Sequence, residues 1–193
     1  DNFVQAVSGT DLVVGARGSE LQLLLYTVFH MGKATNNMDW QSAQRIAQRN
    51  DVAWTIPVSL GDSHKGFTVV GTTPDFFTRY QYRRHTALQF AQGQQFEGIF
   101  DVVLGAEVAA KQHYKLGDRV LLSHGTGDSR LSLHADKPFA VCGILAPTGT
   151  PVDRGLYISL AAMEAIHIDW QGGAPVPGCP GCARRSIGFD KVS

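Results

Sequence analysis

The sequence has no excess of charge of either sign, no long apolar run and only three cysteines. Its 193 residues carry 17 lysines and arginines against 17 aspartates and glutamates. This balance argues against binding nucleic acid or an anionic membrane through bulk charge. No apolar run approaches the about 20 residues of a membrane-spanning helix, and the longest, residues 21–29, is broken by Gln22. The length and composition therefore indicate a globular chain of one domain or of two small ones.

Signatures of covalent catalysis and of nucleotide binding are missing as well. Residues 15–19 read GARGS and not G-x-S-x-G, the motif that presents a serine nucleophile. Neither residues 70–73 nor residues 125–127 are followed by the Gly-Lys-Ser/Thr of a phosphate-binding loop. We therefore expect no enzymatic activity and no cofactor, with any ATPase on another chain.

The chain begins at Asp1 without a start methionine or a signal peptide and ends at Ser193. We expect an excised domain whose membrane anchors are absent, although a processed secreted protein fits the composition equally well.

Hydrophobic periodicity predicts short strands mixed with a few helices. Strands are expected at residues 11–15, 52–60, 67–71, 101–105, 119–122 and 139–145. Helices are expected after Ser19, after Asn37 or Asp39, at residues 106–113 and after Ser159, with one helical turn at residues 87–91. This order predicts an α+β fold rather than a doubly wound sheet. Six apolar residues of the second half should be buried: Val103, Leu104, Val120, Leu122, Val141 and Ile144.

Residues 67–77 form the joint around which the chain is organised. A β-branched strand stops at Gly71, and Pro74 disfavours helical backbone at the residue before it. We expect Thr73 to be the N-cap of a short turn with Pro74 at its first position. Phe76 and Phe77 should pin this turn to a core.

The cysteines and histidines offer a possible metal or redox site near the C-terminus. Cys142 lies in an apolar strand, where a free cysteine usually behaves as a small hydrophobe. Cys179 and Cys182 form a Cys-x-x-Cys pair for which a local disulfide, zinc binding with His167, and free thiols are all open. We place the disulfide first, because one such pair supplies only two metal ligands. His124 and His134 flank a hairpin and could face each other.

Two further polar groups allow a functional or a purely structural interpretation. Asp153 and Arg154 could form a polar site, but an aspartate that bonds its own turn is the commoner arrangement. Tyr80, Tyr82, Arg83 and Arg84 form an aromatic and basic cluster that could contact a partner protein, although a solvated loop is more frequent.

Six sequence blocks follow one another in a recognisable order. They are VVGTTPDFF (69–77), GQQF (93–96), VVLGAEVA (102–109), LGD (116–118), FAVCGIL (139–145) and DRGLYISL (153–160). In this order they resemble the periplasmic core domain of MacB-type ABC transporter permeases, over about residues 11–167. Two departures are Ser159, where the family usually has proline, and the Gly/Pro/Cys-rich tail from Gln171 onward.

The resemblance implies a fold of two parts. Residues 1–80 and 150–193 would form a larger α+β (porter-like) subdomain, shortened at its C-terminal end. Residues 81–149 would form an inserted, β-rich subdomain with one helix. We expect its residues 92–145 to be separate from the part that holds residues 40–48, without one continuous sheet through both parts. The connections between the parts would act as hinges, and the candidate hinge residues are Thr72, Thr73, Pro74, Pro147, Gly149 and Pro151.

The resemblance also implies a function without covalent chemistry. The domain would lie on the periplasmic side of the bacterial inner membrane and transmit ATP-driven movement to a periplasmic partner or an exported substrate. Its partners would be a cytoplasmic ATP-binding subunit, a second permease copy and a periplasmic adaptor or lipoprotein, but no nucleic acid. The alternatives are a stand-alone periplasmic metal- or ligand-binding module and, less well supported, a secreted hydrolase.

Overall fold

A computed structural model describes residues 6–16, 18–30, 37–124, 138–167, 170–171 and 174–175. These residues contain five α-helices: α1 (Glu20–Thr27), α2 (Trp40–Ala47), α3 (Asp75–Arg79), α4 (Ala106–Gln112) and α5 (Leu160–His167). A 3-10 helix spans Pro151–Arg154. In the described part of the chain, no helix is long and apolar enough to cross a membrane.

Most of the strands belong to one mixed sheet. The first six strands are β1 (Ser59–His64), β2 (Phe67–Thr72), β3 (Gln81–Tyr82), β4 (Thr86–Ala87), β5 (Phe90–Gly93) and β6 (Asp101–Leu104). The other six are β7 (Arg119–Val120), β8 (Ser123–His124), β9 (Phe139–Leu145), β10 (Gly155–Ser159), β11 (Trp170–Gln171) and β12 (Ala174–Pro175). Eight strands lie in one sheet, in the order β5-β9-β6-β10-β2-β1-β8, with β7 beside β9. The pairs β3–β4 and β11–β12 form separate hairpins.

The sheet combines parallel and antiparallel pairs. Strand β10 runs parallel to β2, and β6 runs parallel to β9, whereas β10 and β6 are antiparallel. Helix α4 lies in the connection between the parallel strands β6 and β9, as parallel pairing requires a crossover. The predicted α+β class is therefore confirmed.

Alternate side chains of the central strands fill two hydrophobic clusters, as the two-residue period of a strand dictates. In β6, Val102 and Leu104 join one cluster and Val103 joins the other. In β10, Leu156 and Ile158 belong to the first cluster and Tyr157 to the second. The first cluster includes side chains of α4 and α5, and the second includes those of α3. All six residues expected to be buried are at most 7% exposed.

The sheet crosses the domain boundaries expected from the sequence. Strands β5, β6, β7, β8 and β9 come from residues 81–149, yet they share the sheet with β1, β2 and β10. The two parts join at two antiparallel pairs, β6–β10 through Leu104↔Leu156 and Val103↔Tyr157, and β1–β8 through Asp62↔His124 and Ser63↔Ser123. The expectation that the two parts lie in separate sheets is therefore wrong, because this long-range pairing leaves no mark in the local sequence. The boundaries at residues 80/81 and 149/150 stay a prediction.

Three local predictions are wrong. Residues 11–15 form no strand, and Leu12 and Val14 are exposed. Residues 52–58 are not strand either, since β1 begins only at Ser59, after Pro57. The helical turn expected at residues 87–91 is replaced by the end of β4 and the start of β5.

Two helix starts are confirmed through their caps. The carboxylate of Asp39 accepts a hydrogen bond from the N–H of Ser42, at 2.8 Å. The hydroxyl of Ser159 accepts one from the N–H of Ala162, at 3.0 Å. Both side chains satisfy donors that a helix leaves free in its first turn.

Candidate hinge and partner-contact site

The predicted joint lies where β2 ends beside β10. Thr72 is fully buried, and its hydroxyl donates a hydrogen bond to the carbonyl oxygen of Pro57, at 2.7 Å. Thr73 does not cap α3 as expected. Its Oγ1 is buried without a hydrogen-bond partner among the described residues, and Pro74 already has helical backbone angles. The first turn is closed by the backbone alone, through Phe76 N–H to Thr73 O at 3.0 Å.

Aromatic rings anchor the joint as predicted. Phe76 stacks on Tyr157 of β10, with ring centroids 4.7 Å apart. Phe77 contacts Phe90 and Phe96, which come from the segment of residues 81–149. Because aromatic pairs at this spacing add to ordinary apolar burial, α3 is held by both predicted parts of the chain.

The second predicted hinge, which holds Pro147, Gly149 and Pro151, is tied together by one carboxylate. Asp153 accepts hydrogen bonds from the N–H and the hydroxyl of Thr148, both at 2.8 Å, and from the N–H of Gly149, also at 2.8 Å. Gly149 has a φ of +68°, which glycine adopts without strain. The interpretation of Asp153 as a turn residue is confirmed. Residues 148–153 therefore form one hydrogen-bonded turn, and the N–H of Ala146 before it still bonds Gln89 O at 2.8 Å.

We call the contact region between β6 and β10, together with the start of α4, the seam. The N–H of Gly105 donates to Gly155 O at 2.8 Å, and a Cβ on Gly105 would collide with the carbonyl oxygens of Val152 and Asp153. Arg154 contacts Glu107 at 2.7 Å. The hydrogen bond from Lys111, followed by the charge of Arg154, holds the pKa of the Glu107 carboxyl below its usual value. The two parts thus meet through backbone contact and an ion pair.

A second contact joins the same two parts through His64 of β1. Its Nδ1 lies 2.6 Å from Leu121 O and its Nε2 lies 2.9 Å from the hydroxyl of Tyr114. Since a carbonyl can only accept, Nδ1 carries the proton and Nε2 accepts from Tyr114. Burial lowers the pKa of His64, so the neutral ring makes this contact.

The predicted partner surface divides into a buried half and an exposed half. Tyr80 packs against the second hydrophobic cluster and donates its hydroxyl to Ala6 O at 2.7 Å, and burial raises its pKa far above the usual range. Tyr82 is half-buried in the same cluster. Arg83 and Arg84 are exposed at the tip of the β3–β4 hairpin. Only the arginines are presented to solvent.

The predicted metal and disulfide residues lie largely outside the described residues. This holds for Cys179, Cys182 and His134, while His124 and His167 are described in their backbone only. Among the described side chains, no group of three or more His, Cys, Asp or Glu residues could hold a metal ion. Cys142 is a free thiol whose Sγ lies 3.4 Å from Val102 O, and its pKa is raised to about 12 by burial, with help from Asp101.

Sequence reasoning missed three features of the seam and its surroundings. The dipole of α4 alone would account for Glu107 in its first turn, yet Glu107 also pairs with Arg154, 47 residues away. His64 and Tyr114 were not connected because 50 residues separate them. His30 has no local sequence signal of burial, yet its Nδ1 is buried without a partner among the described residues, and burial lowers its pKa to about 4. Only Gly105, as the glycine between a strand and a helix, gave a usable local signal.

Comparison with known proteins gives a family for most of the chain. The model of a family described as MacB-like periplasmic core domain matches residues 2–175. No curated protein matches. Among 11 matching chains of solved structures, one is a domain of a protein described as a permease, from Porphyromonas gingivalis. It is 12% identical, with a TM-score of 0.42, over 70% of this chain and 55% of that chain. The chain thus spans little more than half the length of that structure.

Proposed function

Since the chain belongs to the MacB-like periplasmic core domain family, whose members are periplasmic domains of ABC transporter permeases, we propose that it transmits an ATP-driven conformational change. The change would cross the inner membrane and reach a periplasmic partner or an exported substrate. The family match over residues 2–175 is the observation that carries this proposal.

The proposal requires an ATP-binding partner, which the family implies. We place it on a separate cytoplasmic subunit, and we place a second copy of the permease beside the first in the membrane. A periplasmic adaptor or lipoprotein would receive the movement. This chain would contribute contact surfaces and stiffness and no reacting group.

The geometry supports a particular route for the movement. The two parts of the sheet meet only through short antiparallel pairings, two residue pairs between β6 and β10 and two between β1 and β8 among the described residues. Residues 148–153 lie beside this seam as one unit held by Asp153. A force on either part would therefore bend the sheet at the seam and swing residues 148–153 about Pro147, because Ala146 is still bonded to Gln89 O. This is hinge motion concentrated at the ends of rigid elements.

Hydrogen exchange on the full-length permease, reconstituted with its ATP-binding subunit, tests the proposal. Comparing the nucleotide-free and ATP-bound states should reveal changed protection at residues 72–74 and 146–153. The interior of β9 should exchange equally slowly in both states, because β9 is paired with strands on both sides. An ATP-binding subunit that cannot bind nucleotide is the matched control. If ATP leaves exchange in this whole domain unchanged while substrate is transported, the proposal is wrong.

A further inference from the structure

The tip of the β3–β4 hairpin carries three consecutive cationic or ionisable residues, Arg83, Arg84 and His85, and all three are exposed. We call these three residues the basic tip. All three have positive φ angles, of 32°, 49° and 64°. The N–H of Thr86 closes the turn on Arg83 O at 3.2 Å. Turns with left-handed central residues normally use glycine, asparagine or aspartate, because other side chains are strained there.

Neighbouring residues hold the basic tip in this strained shape. The hydroxyl of Ser8 accepts a hydrogen bond from the N–H of His85 at 3.0 Å, and Ser8 N–H donates to Gln81 O at 2.9 Å. Gln81 also bonds the ring of His85, at 3.0 Å. Strained backbone that is fixed by its surroundings is concentrated at binding and switching sites. The tip is therefore preorganised, which lowers the entropic cost of binding.

Within the described part of the chain, the two arginines of the basic tip form no ion pair. Neither Arg83 nor Arg84 has a carboxylate within ion-pair distance there, whereas Arg49, Arg79 and Arg154 each have one. Guanidinium groups recognise carboxylates through two parallel hydrogen bonds. Two arginines that have no ion pair among the described residues, on a hydrogen-bonded turn, thus present donors that suit a carboxylate.

We propose that the basic tip is the docking site for an acidic segment of a partner protein, a segment rich in Asp or Glu. An anionic membrane is a poorer fit, because membrane-binding segments usually have four to eight clustered basic residues, while the tip has two arginines and no exposed large apolar residue. The proposal rests on the proposed function, because it names the chemistry of the periplasmic partner.

The basic tip also touches the predicted hinge. A Cβ at Gly149 would lie 2.5 Å from Nη2 of Arg83, so the guanidinium lies against this exposed glycine. A carboxylate that draws Arg83 outward would break this contact with the Asp153-bound turn. Docking and hinge position are thereby linked through one side chain.

Binding of a fluorescent decaglutamate peptide to the 193-residue chain in low-salt buffer tests the proposal. The double variant Arg83→Ser/Arg84→Ser should weaken binding about tenfold, the sum of two exposed ion pairs. The matched control, Arg45→Ser/Arg49→Ser, removes the same charge from exposed positions of and beside α2 and should change binding less than about twofold. The variant Arg83→Lys/Arg84→Lys keeps the charge but not the paired hydrogen bonds. Its affinity for the peptide should lie between those of the tip and control variants.

Equal weakening by the tip and control variants would overturn the proposal, because bulk charge would then explain the binding. Absence of peptide binding, or tip-dependent binding only to vesicles of phosphatidylcholine and phosphatidylglycerol, would overturn it as well. None of these results bears on whether ATP moves the domain. Conversely, tip-dependent peptide binding would stand even if the hydrogen-exchange experiment on the full transporter failed.

Discussion

Replacing Asp153 with alanine should destabilise the chain far more than removing any exposed carboxylate. Asp153 is 8% exposed, and its two carboxylate oxygens accept three hydrogen bonds from Thr148 and Gly149. Thr148 is itself buried, at 3% exposure. In Asp153→Ala, the N–H of Thr148 would lose its acceptor, the carboxylate of residue 153, in a buried position that water does not reach easily. The exposed Gly149 could donate to solvent instead.

The magnitude follows from these three bonds. A buried donor left unsatisfied costs about 1–3 kcal/mol, and a hydrogen bond to a charged group contributes about 1.5–3 kcal/mol. The hydroxyl of Thr148 keeps Thr150 as a neighbour at 2.7 Å, and water replaces the bond of Gly149. We therefore expect the free energy of unfolding to fall by about 2–4 kcal/mol, a large share of the about 5–15 kcal/mol of a typical domain.

Urea unfolding followed by circular dichroism measures this effect. The midpoint should fall by about 1–2 M in Asp153→Ala. The midpoint of Asp153→Asn should fall less, since the remaining carbonyl oxygen of the side chain can still accept a hydrogen bond from Thr148. The control Asp51→Ala removes an exposed carboxylate paired with Arg49 and should cost less than about 1 kcal/mol. Similar midpoints for Asp153→Ala and Asp51→Ala would refute the view that Asp153 holds residues 148–153 together.

Three further predictions follow from the same structure. Gly105→Ala should lower the free energy of unfolding by about 1–3 kcal/mol through overpacking at the seam. The control Gly61→Ala should leave it unchanged, because a Cβ at Gly61 meets no atom within 4 Å. Equal urea midpoints for the two variants would contradict this prediction. Stability should fall as the pH drops from 6.5 towards 4, because unfolded His30 takes up a proton that the folded chain accepts only near pH 4. The loss should reach at most about 3 kcal/mol, and His30→Gln should flatten the pH dependence. Mass spectrometry after iodoacetamide treatment of folded, periplasmically matured chain should find Cys142 unmodified, since its pKa is about 12, and Cys179 linked to Cys182. Stoichiometric zinc would instead favour a metal site in that tail.

Local sequence signals predicted the elements whose stability is local. The β-branched segment Phe67–Thr72 and the apolar segment Phe139–Leu145 are strands as expected. Asp39 and Ser159 cap helices because a short polar side chain at that position bonds the first turn. The six residues between positions 103 and 144 that we expected in the core are buried, because their spacing matches the strand period.

Predictions failed where pairing between distant segments decides the structure. Residues 11–15 have the composition of a strand, but no described strand pairs with them, and Leu12 remains 79% exposed. The pairing of β6 with β10 connects residues about fifty positions apart, the pairing of β1 with β8 connects residues about sixty apart, and these two contacts unite the two parts in one sheet. The basic tip was foreseen as a surface through Arg83 and Arg84, but its strained turn depends on Ser8, more than seventy residues earlier.

The distance between the two parts of the sheet, measured in both nucleotide states, tests the central claim most directly. Spin labels at Gln44→Cys on α2 and Lys115→Cys beyond α4 report on the two parts, and both positions are exposed. The pair Ala91→Cys and Lys115→Cys lies within residues 81–149 and is the internal control. All labels are placed in the full-length permease with its ATP-binding subunit, after Cys142, Cys179 and Cys182 are changed to serine. ATP should shift the first distance distribution and leave the second unchanged. Identical distributions for Gln44 and Lys115 in both states, in a transporter that hydrolyses ATP, would contradict the account.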